Sequence, residues 1–304
     1  MVESKYSTSA YDGLSLAGKS TMVEMLHQRS NNSVVVRENK YDPIRPITSE
    51  TNKMLKKYCD KPEFVKDVLI QQIKNHKEHK GLFEEILEEY ENKWKYEYTQ
   101  EKCMQACLAR MFTQGRKIVD EKTSYLKESN NLIYDRWQIS GWAYQSSPSN
   151  SKDDKAFTWR EIKQMNEELD IGLPDMQFIL TCPIEDIQKR REFRHKVGYG
   201  TAGQMSKGRE EIIYNAFLEI NPWLSDKIPN YMIENEGIPT EDMKKQIEQS
   251  IPIYVEIENT IRNTLKDWSL KEPFRDAQAA REYFLDDKNL HQIGLRQAGE
   301  LDKI

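Results

Sequence analysis

Ten residues, DGLSLAGKST at 12–21, constrain the fold of this chain more than any other stretch. Their spacing, Gly13-x4-Gly18-Lys19-Ser20, is that of a loop that wraps a phosphate with backbone N–H groups. Such a loop needs small residues for close approach, a strand that delivers the chain to it, and a helix whose positive N-terminus faces the anion. The lysine reaches the outer phosphates, and the hydroxyl meets a divalent cation. Gly13, Ser15, Leu16, Ala17, Gly18, Lys19, Ser20 and Thr21 are therefore the candidate donor-binding set, with Lys19 and Ser20 carrying the chemistry. The loop predicts a strand over 6–11 and a helix over 21–28. The strand segment YSTSAY is polar for a central parallel strand, so its hydroxyls must bond to backbone to be buried there.

Short β-branched runs follow at 33–37 (SVVVR), 132–135 (LIYD), 176–182 (MQFILTC) and 231–234 (YMIE), separated by helical stretches. That alternation predicts an α/β fold in three layers, a five-stranded parallel sheet flanked by helices. Between 62 and 100, Val65, Val68, Leu69 and Ile73, then Leu82, Ile86, Leu87 and Tyr90 recur at helical spacing, which predicts one or two helices with solvated charged faces. Another helix is expected from Leu108 to Val119. The organisation read from these patterns is a phosphate-loop domain over 1–252, with a helical insertion at about 50–105, and a helical extension over 253–304.

Charge and cysteine usage narrow the function class. With 45 Lys and Arg against 50 Asp and Glu the formal net charge is −5. A sequence-independent nucleic-acid binder needs a basic surplus to release counterions, so none is expected. No apolar run approaches membrane-spanning length and no signal core opens the chain, which predicts a cytoplasmic protein without a membrane anchor. Four cysteines in 304 residues fit reduced thiols. Cys103 and Cys107, four apart on a predicted helix, read as packing residues rather than a metal pair, and His76 and His79 as solvated.

A second cluster, DRWQISGWAYQ at 135–145, puts an Asp-Arg pair at the C-terminal end of a predicted strand, where open α/β sheets bind ligands. Asp135 can orient a cation and Arg136 can clamp a phosphate with two N–H groups. The dipeptide alone fits a structural ion pair equally well. The wider context is more specific, because DRWQISGWAYQ resembles the Asp-Arg-aromatic, Ser, Ala-Tyr/Phe-Gln signature of thymidylate kinases. FTQGR (112–116) resembles their Phe-x3-Arg, and VVVRENK (34–40) their second strand with its Arg-Glu pair. GLPDMQFILTCPIEDIQKRREFR (172–194) resembles the Leu-Pro-Asp strand and the Arg-x3-Arg entry to a lid, KGREE (207–211) the lid exit, and IENEGIPTEDMKKQIEQSI (233–251) the last strand and terminal helix. The pieces occur in family order across 7–251.

The resemblance implies a nucleoside-monophosphate kinase that uses ATP and Mg²⁺ and acts as a homodimer. Lys19 and Ser20 would handle the donor phosphates and the metal, which Asp135 supports. Arg136 would hold the acceptor phosphate, with Arg37 and Glu38 facing it. Phe112 would stack on the acceptor base, Arg116 would bond its edge, and Ser140, Gly141, Tyr144 and Gln145 would line the base and deoxyribose pocket. Arg190 and Arg194 would close over the donor from a lid at about 188–212. The family usually carries an acid at the position of Ser15, where it touches the acceptor sugar, and Leu16 leaves the loop without an arginine. The acceptor therefore stays open between a pyrimidine deoxynucleoside monophosphate such as dTMP and a deoxynucleoside or modified nucleotide, with Glu38 as the base a nucleoside would require. A non-catalytic nucleotide-binding module is the remaining alternative, against which Lys19, Ser20, Asp135 and Arg136 stand.

Overall fold

The computed structural model describes residues 6–37, 42–59, 63–145, 152–196, 207–224, 227–237 and 242–297. In chain order its elements are β1 (Thr8–Gly13), α1 (Lys19–Arg29), β2 (Ser33–Arg37), α2 (Arg45–Tyr58), α3 (Phe64–Asn75), α4 (Lys80–Glu89), α5 (Gln100–Thr123), β3 (Asn131–Asp135), α6 (Gln138–Gln145), α7 (Lys152–Glu168), β4 (Met176–Thr181), α8 (Ile184–Lys196), α9 (Lys207–Leu224), β5 (Asn230–Glu234), α10 (Met243–Thr264), α11 (Ala277–Leu285) and α12 (Asp287–Gln297). A π-helical turn, Tyr90–Trp94, and a short turn, Lys95–Glu97, continue α4. The chain divides into two compact units. The first comprises Met1–Arg37, Thr123–Ser140 and Leu173–Ile304, and the second Glu38–Lys122 and Gly141–Gly172.

The first unit holds the whole sheet, five strands in the order β2-β3-β1-β4-β5, with every neighbouring pair parallel. β1 and β4 are buried along their full length, as the middle of a parallel sheet covered on both faces requires. Three aromatic side chains in register form a ladder across three strands. Tyr11 stacks on Phe178 with centroids 5.1 Å apart, and Phe178 on Tyr231 at 5.6 Å. The expected strand at 6–11 is found two residues later and includes Asp12 and Gly13. Its polarity is met at Thr8 by both backbone and side chain: the Thr8 hydroxyl accepts from the Asp175 N–H at 3.0 Å, and Thr8 donates from its N–H and its hydroxyl to Asp175 Oδ2 at 2.6 and 2.8 Å.

Behind the sheet, α10 starts on the side-chain cap of Asp242 and α11 on that of Asp276. Their aromatic residues pack edge to face, Tyr254 against Phe284 at 4.7 Å. This tail fastens onto the C-terminal end of α1. Arg29, buried, donates to Glu258, and its guanidinium lies 3.9 Å from the ring centre of Phe274 and 5.1 Å from that of Tyr283. Lys271 Nζ donates to the carbonyl of Gln28 at 2.9 Å, and Lys271 N–H to that of Arg29 at 2.9 Å. Trp268 Nε1 donates to Ser30 Oγ at 3.1 Å.

The second unit is helical. The stretch expected to give one or two helices gives α3 and α4 with the turns that prolong α4. Val65, Val68 and Leu69 are buried on α3, and Phe83 and Ile86 on α4. Arg110 on α5 pairs with Glu89 at 3.1 Å and Glu168 at 3.0 Å, joining α5 to α4 and α7. Cys103 and Cys107 are buried and free, with burial pushing the Cys107 thiol up to about 12. Among the described residues no helix is long and apolar enough to cross a membrane.

Candidate functional site

The chain leaves β1 towards β2 and leaves its neighbour β3 in the opposite direction towards β4, and such a switch point opens a crevice at the C-terminal strand ends. The register sets Tyr11 of β1 and Arg37 of β2 abreast of Asp135 of β3 at that edge. Gly13 ends β1 with φ +134°, and a Cβ there would fall 2.9 Å from the carbonyl carbon of Leu180 on β4, so only glycine fits. The loop that follows enters α1 through Gly18 at φ +88°, where a Cβ would overlap the side-chain amide of Asn235. Leu16 and Arg136, neither of them glycine, also have positive φ, 72° and 78°. Such backbone costs about 1–3 kcal/mol per residue and persists where surrounding structure holds it. The two lie in the phosphate loop and in the Asp-Arg turn.

Lys19 is buried and donates from Nζ to the carbonyl of Leu14 at 2.5 Å. Burial, reinforced by the neighbouring Arg136 charge and opposed by Asp135 and Asp12, lowers its pKa to about 7. A buried ammonium without a phosphate beside it is costly, and a phosphate would restore its charge. Ser20 is exposed at the start of α1, and its hydroxyl donates to Asp135 Oδ2 at 3.0 Å. The two hard oxygen groups are the donor set that Mg²⁺ takes from a protein when phosphates and water supply the rest. Arg136 Nη2 donates to Ser15 Oγ at 3.3 Å and Nη1 to Ser140 Oγ at 3.5 Å. Arg37 lies 4.0 Å from Asp135 and forms a closer ion pair with Glu24, a buried carboxylate one turn beyond Ser20 on α1. Arg190 on α8 donates to the carbonyls of Leu16, Asn235 and Gly237 at 2.7, 2.8 and 2.9 Å. Its neighbour Arg191 pairs with the buried Glu210 and so joins α8 to α9.

In the second unit, Arg116 is almost fully buried against Gly141, and a Cβ on Gly141 would lie 2.7 Å from the guanidinium carbon. Phe112 precedes Arg116 by one turn of α5 and is half-buried, as are Tyr144 and Gln145 at the end of α6. Trp142 meets Trp159 edge to face at 5.9 Å and fixes α6 against α7. Thus Lys19, Ser20, Arg37, Asp135, Arg136, Ser140 and Arg190 of the expected set fall in the first unit, and Phe112, Arg116, Gly141, Tyr144 and Gln145 in the second. Glu38, the side chain of Arg194 and the 197–206 part of the expected lid lie outside the described residues.

Three residues that sequence reasoning did not select support this edge. Asp12, fully buried, accepts from the N–H groups of Trp137 and Ser140 at 2.9 and 3.1 Å and from the Ser140 hydroxyl, and so holds the start of α6. An acid in an otherwise uncharged strand was the available signal. Glu24 holds Arg37, and Asn235 donates from Nδ2 to the carbonyl of Ala17 at 2.9 Å. Neither had a signature in the sequence. The depressions of about 360 and 390 Å³ in the second unit are lined by Tyr90, Tyr98 and Cys103, and by Lys102, Phe157 and Arg160, among others, and by no residue of the expected set.

No family model and no curated protein matches the sequence. Among solved structures the chain is similar to a thymidylate kinase from Candida albicans, with 17% identity and a TM-score of 0.50 over 88% of this chain and 95% of that one. A thymidylate kinase from Ehrlichia chaffeensis aligns over 84% of this chain and 98% of its own, with 14% identity and a TM-score of 0.44. The likeness to the Candida albicans structure establishes the architecture: the chain has an α/β phosphate-loop kinase fold of the kind seen in thymidylate kinase.

Proposed function

We propose that this chain is an ATP- and Mg²⁺-dependent kinase that transfers the γ-phosphoryl group to a deoxynucleoside monophosphate, dTMP or a related pyrimidine nucleotide, giving the diphosphate. The observation that carries the reading is the Ser20 hydroxyl bonded to Asp135 at 3.0 Å beside the buried Lys19. That triad matches what a phosphate loop needs at the donor end. Mg²⁺ held by Ser20 and Asp135 would neutralise charge on the donor phosphates.

The nucleophile in such a reaction is an oxygen of the acceptor phosphate, already anionic, so no protein base has to remove a proton. The new bond forms between that oxygen and the γ-phosphorus, while the bond to the bridging oxygen breaks and its electron pair leaves with ADP. The protein's task is to align two anions and spread positive charge around the moving group. Lys19 serves the donor and Arg136 the acceptor phosphate. Arg136 is steadied for this by Ser15 and Ser140. Phe112 and Arg116 would read the acceptor base, with Gly141 leaving room for the Arg116 guanidinium.

Ser15 offers a neutral hydroxyl where the family usually presents an acid to the acceptor sugar. The acceptor panel should therefore be wide. The Candida albicans kinase is itself described as having broad substrate specificity. The test is Mg-ATP with a series of deoxynucleoside monophosphates, ribonucleoside monophosphates and nucleosides, scoring ADP and the phosphorylated acceptor. Transfer to dTMP or a related pyrimidine monophosphate is expected, and transfer to no monophosphate would overturn the reading.

A further inference from the structure

Two side chains from outside the phosphate loop hold its shape through its own carbonyl groups. Leu16 carbonyl accepts from Arg190 Nη1 at 2.7 Å, and Ala17 carbonyl accepts from Asn235 Nδ2 at 2.9 Å. In a trans peptide the carbonyl and the following N–H point in opposite directions. Fixing the Ala17 carbonyl on Asn235 therefore also fixes the Gly18 N–H, which points the opposite way. Leu16, at φ 72°, is in a conformation a leucine seldom adopts, and the charged donor on its carbonyl is what holds it there.

Both clamps are themselves fixed. Asn235 is buried, and its N–H donates to the carbonyl of Thr181 at 2.9 Å, continuing the β4–β5 pairing by one residue. The Asn235 amide fills the space above Gly18 that a Cβ would occupy, so the clamp and the glycine fit one another. Arg190 also binds the carbonyls of Asn235 and Gly237 at 2.8 and 2.9 Å. One guanidinium thus fastens α8, the loop after β5 and the phosphate loop together.

We propose that Asn235 and Arg190 are positioning residues that preorganise the phosphate loop for a nucleoside triphosphate, acting through the Ala17 and Leu16 carbonyls rather than by contact with the transferred group. This inference rests on the kinase reading above. Its test uses the full chain and the variants Asn235→Asp, which keeps the shape but removes the donor, Asn235→Ala, and Arg190→Lys, which keeps the charge but not the fork. Calorimetry with Mg-ADP and steady-state kinetics are the readouts, with the melting temperature as the control for folding. Each lost hydrogen bond should weaken Mg-ADP by about three- to tenfold. Arg190→Lys, losing several at once, should lose more, and the acceptor KM should stay within about twofold in all three.

Asn235→Asp binding Mg-ADP like the wild type would overturn the inference. Arg190→Lys with intact Mg-ADP affinity and reduced kcat would place Arg190 on the moving phosphoryl group and overturn its half. Wild-type protein that binds no Mg-ADP would sink the kinase reading itself, and this inference with it.

Discussion

Replacing Gly141 by alanine adds one methyl group and sets two opposed effects against each other. Gly141 lies within α6, and a helical glycine costs up to about 1 kcal/mol relative to alanine. On propensity alone the variant should be stabilised by that amount. The new Cβ, however, would sit 2.7 Å from the Arg116 guanidinium carbon and from Nη1, roughly an ångström inside an ordinary contact. Arg116 is 1% exposed and cannot swing into solvent. Overpacking a site that closed costs about 1–3 kcal/mol, so the balance falls between neutrality and about 2 kcal/mol of destabilisation. At roughly 2–4 °C per kcal/mol the melting temperature should fall by up to several degrees. Gly81→Ala on α4 is the internal control, because a Cβ there meets nothing within 4 Å. It should hold or raise the melting temperature. If Arg116 reads the acceptor base, a displacement of about 1 Å should lower kcat/KM for the acceptor on the order of 10²-fold, with Mg-ADP affinity unchanged. A Gly141→Ala protein that melts higher and keeps its acceptor KM would refute the reasoning, since it would show that Arg116 yields freely or reads nothing.

Two further outcomes follow from groups whose surroundings are defined. The pKa of Lys19 is lowered to about 7 in the folded chain against 10.5 for an ordinary lysine, so between those values the unfolded chain holds the extra proton. Stability of the nucleotide-free protein should therefore rise as pH climbs from about 7 towards 10.5. Over the same range Mg-ADP binding should take up a proton, measurable by calorimetry in buffers of different ionisation heat; no uptake at pH 8 would contradict the assignment. Glu258→Ala would leave the buried Arg29 without its carboxylate, which should cost about 3–5 kcal/mol in urea unfolding, whereas a loss below about 1 kcal/mol would mean that backbone carbonyls alone satisfy Arg29.

The parts of the fold that were legible in the sequence are those whose chemistry is local. Glycines at 13 and 18 report positive φ, and β-branched runs such as SVVVR report strands almost to the residue. Strand β1 was displaced by two residues because its alternating hydroxyls gave no hydrophobic edge to measure from, and because Asp12 looked like loop. Its carboxylate is received at the sheet edge by two N–H groups and a hydroxyl from 137–140, far along the chain. Arg190 was expected to close over the donor, yet the partners it has are carbonyl oxygens, which every residue has and no side-chain pattern advertises. Asn235 and Glu24 were invisible for the same reason: what they do depends on which distant backbone or side chain the topology places opposite them. The tail was read as polar and helical, but Phe274 and Tyr283 are spaced to flank Arg29 rather than to mark one helix face.

That tail has a consequence for how the chain can be cut. Helix α1 presents its first turn to the candidate phosphate site, while its last carbonyls are received by Lys271 and its final arginine by Glu258, Phe274 and Tyr283. Every motif quoted above lies before residue 252, so a fragment ending there would keep the whole signature. It would also strip the far end of the very helix that holds Lys19 and Ser20 at its start, and leave a buried-length arginine facing water. The stretch without a motif thus holds one end of the helix whose other end carries the motif.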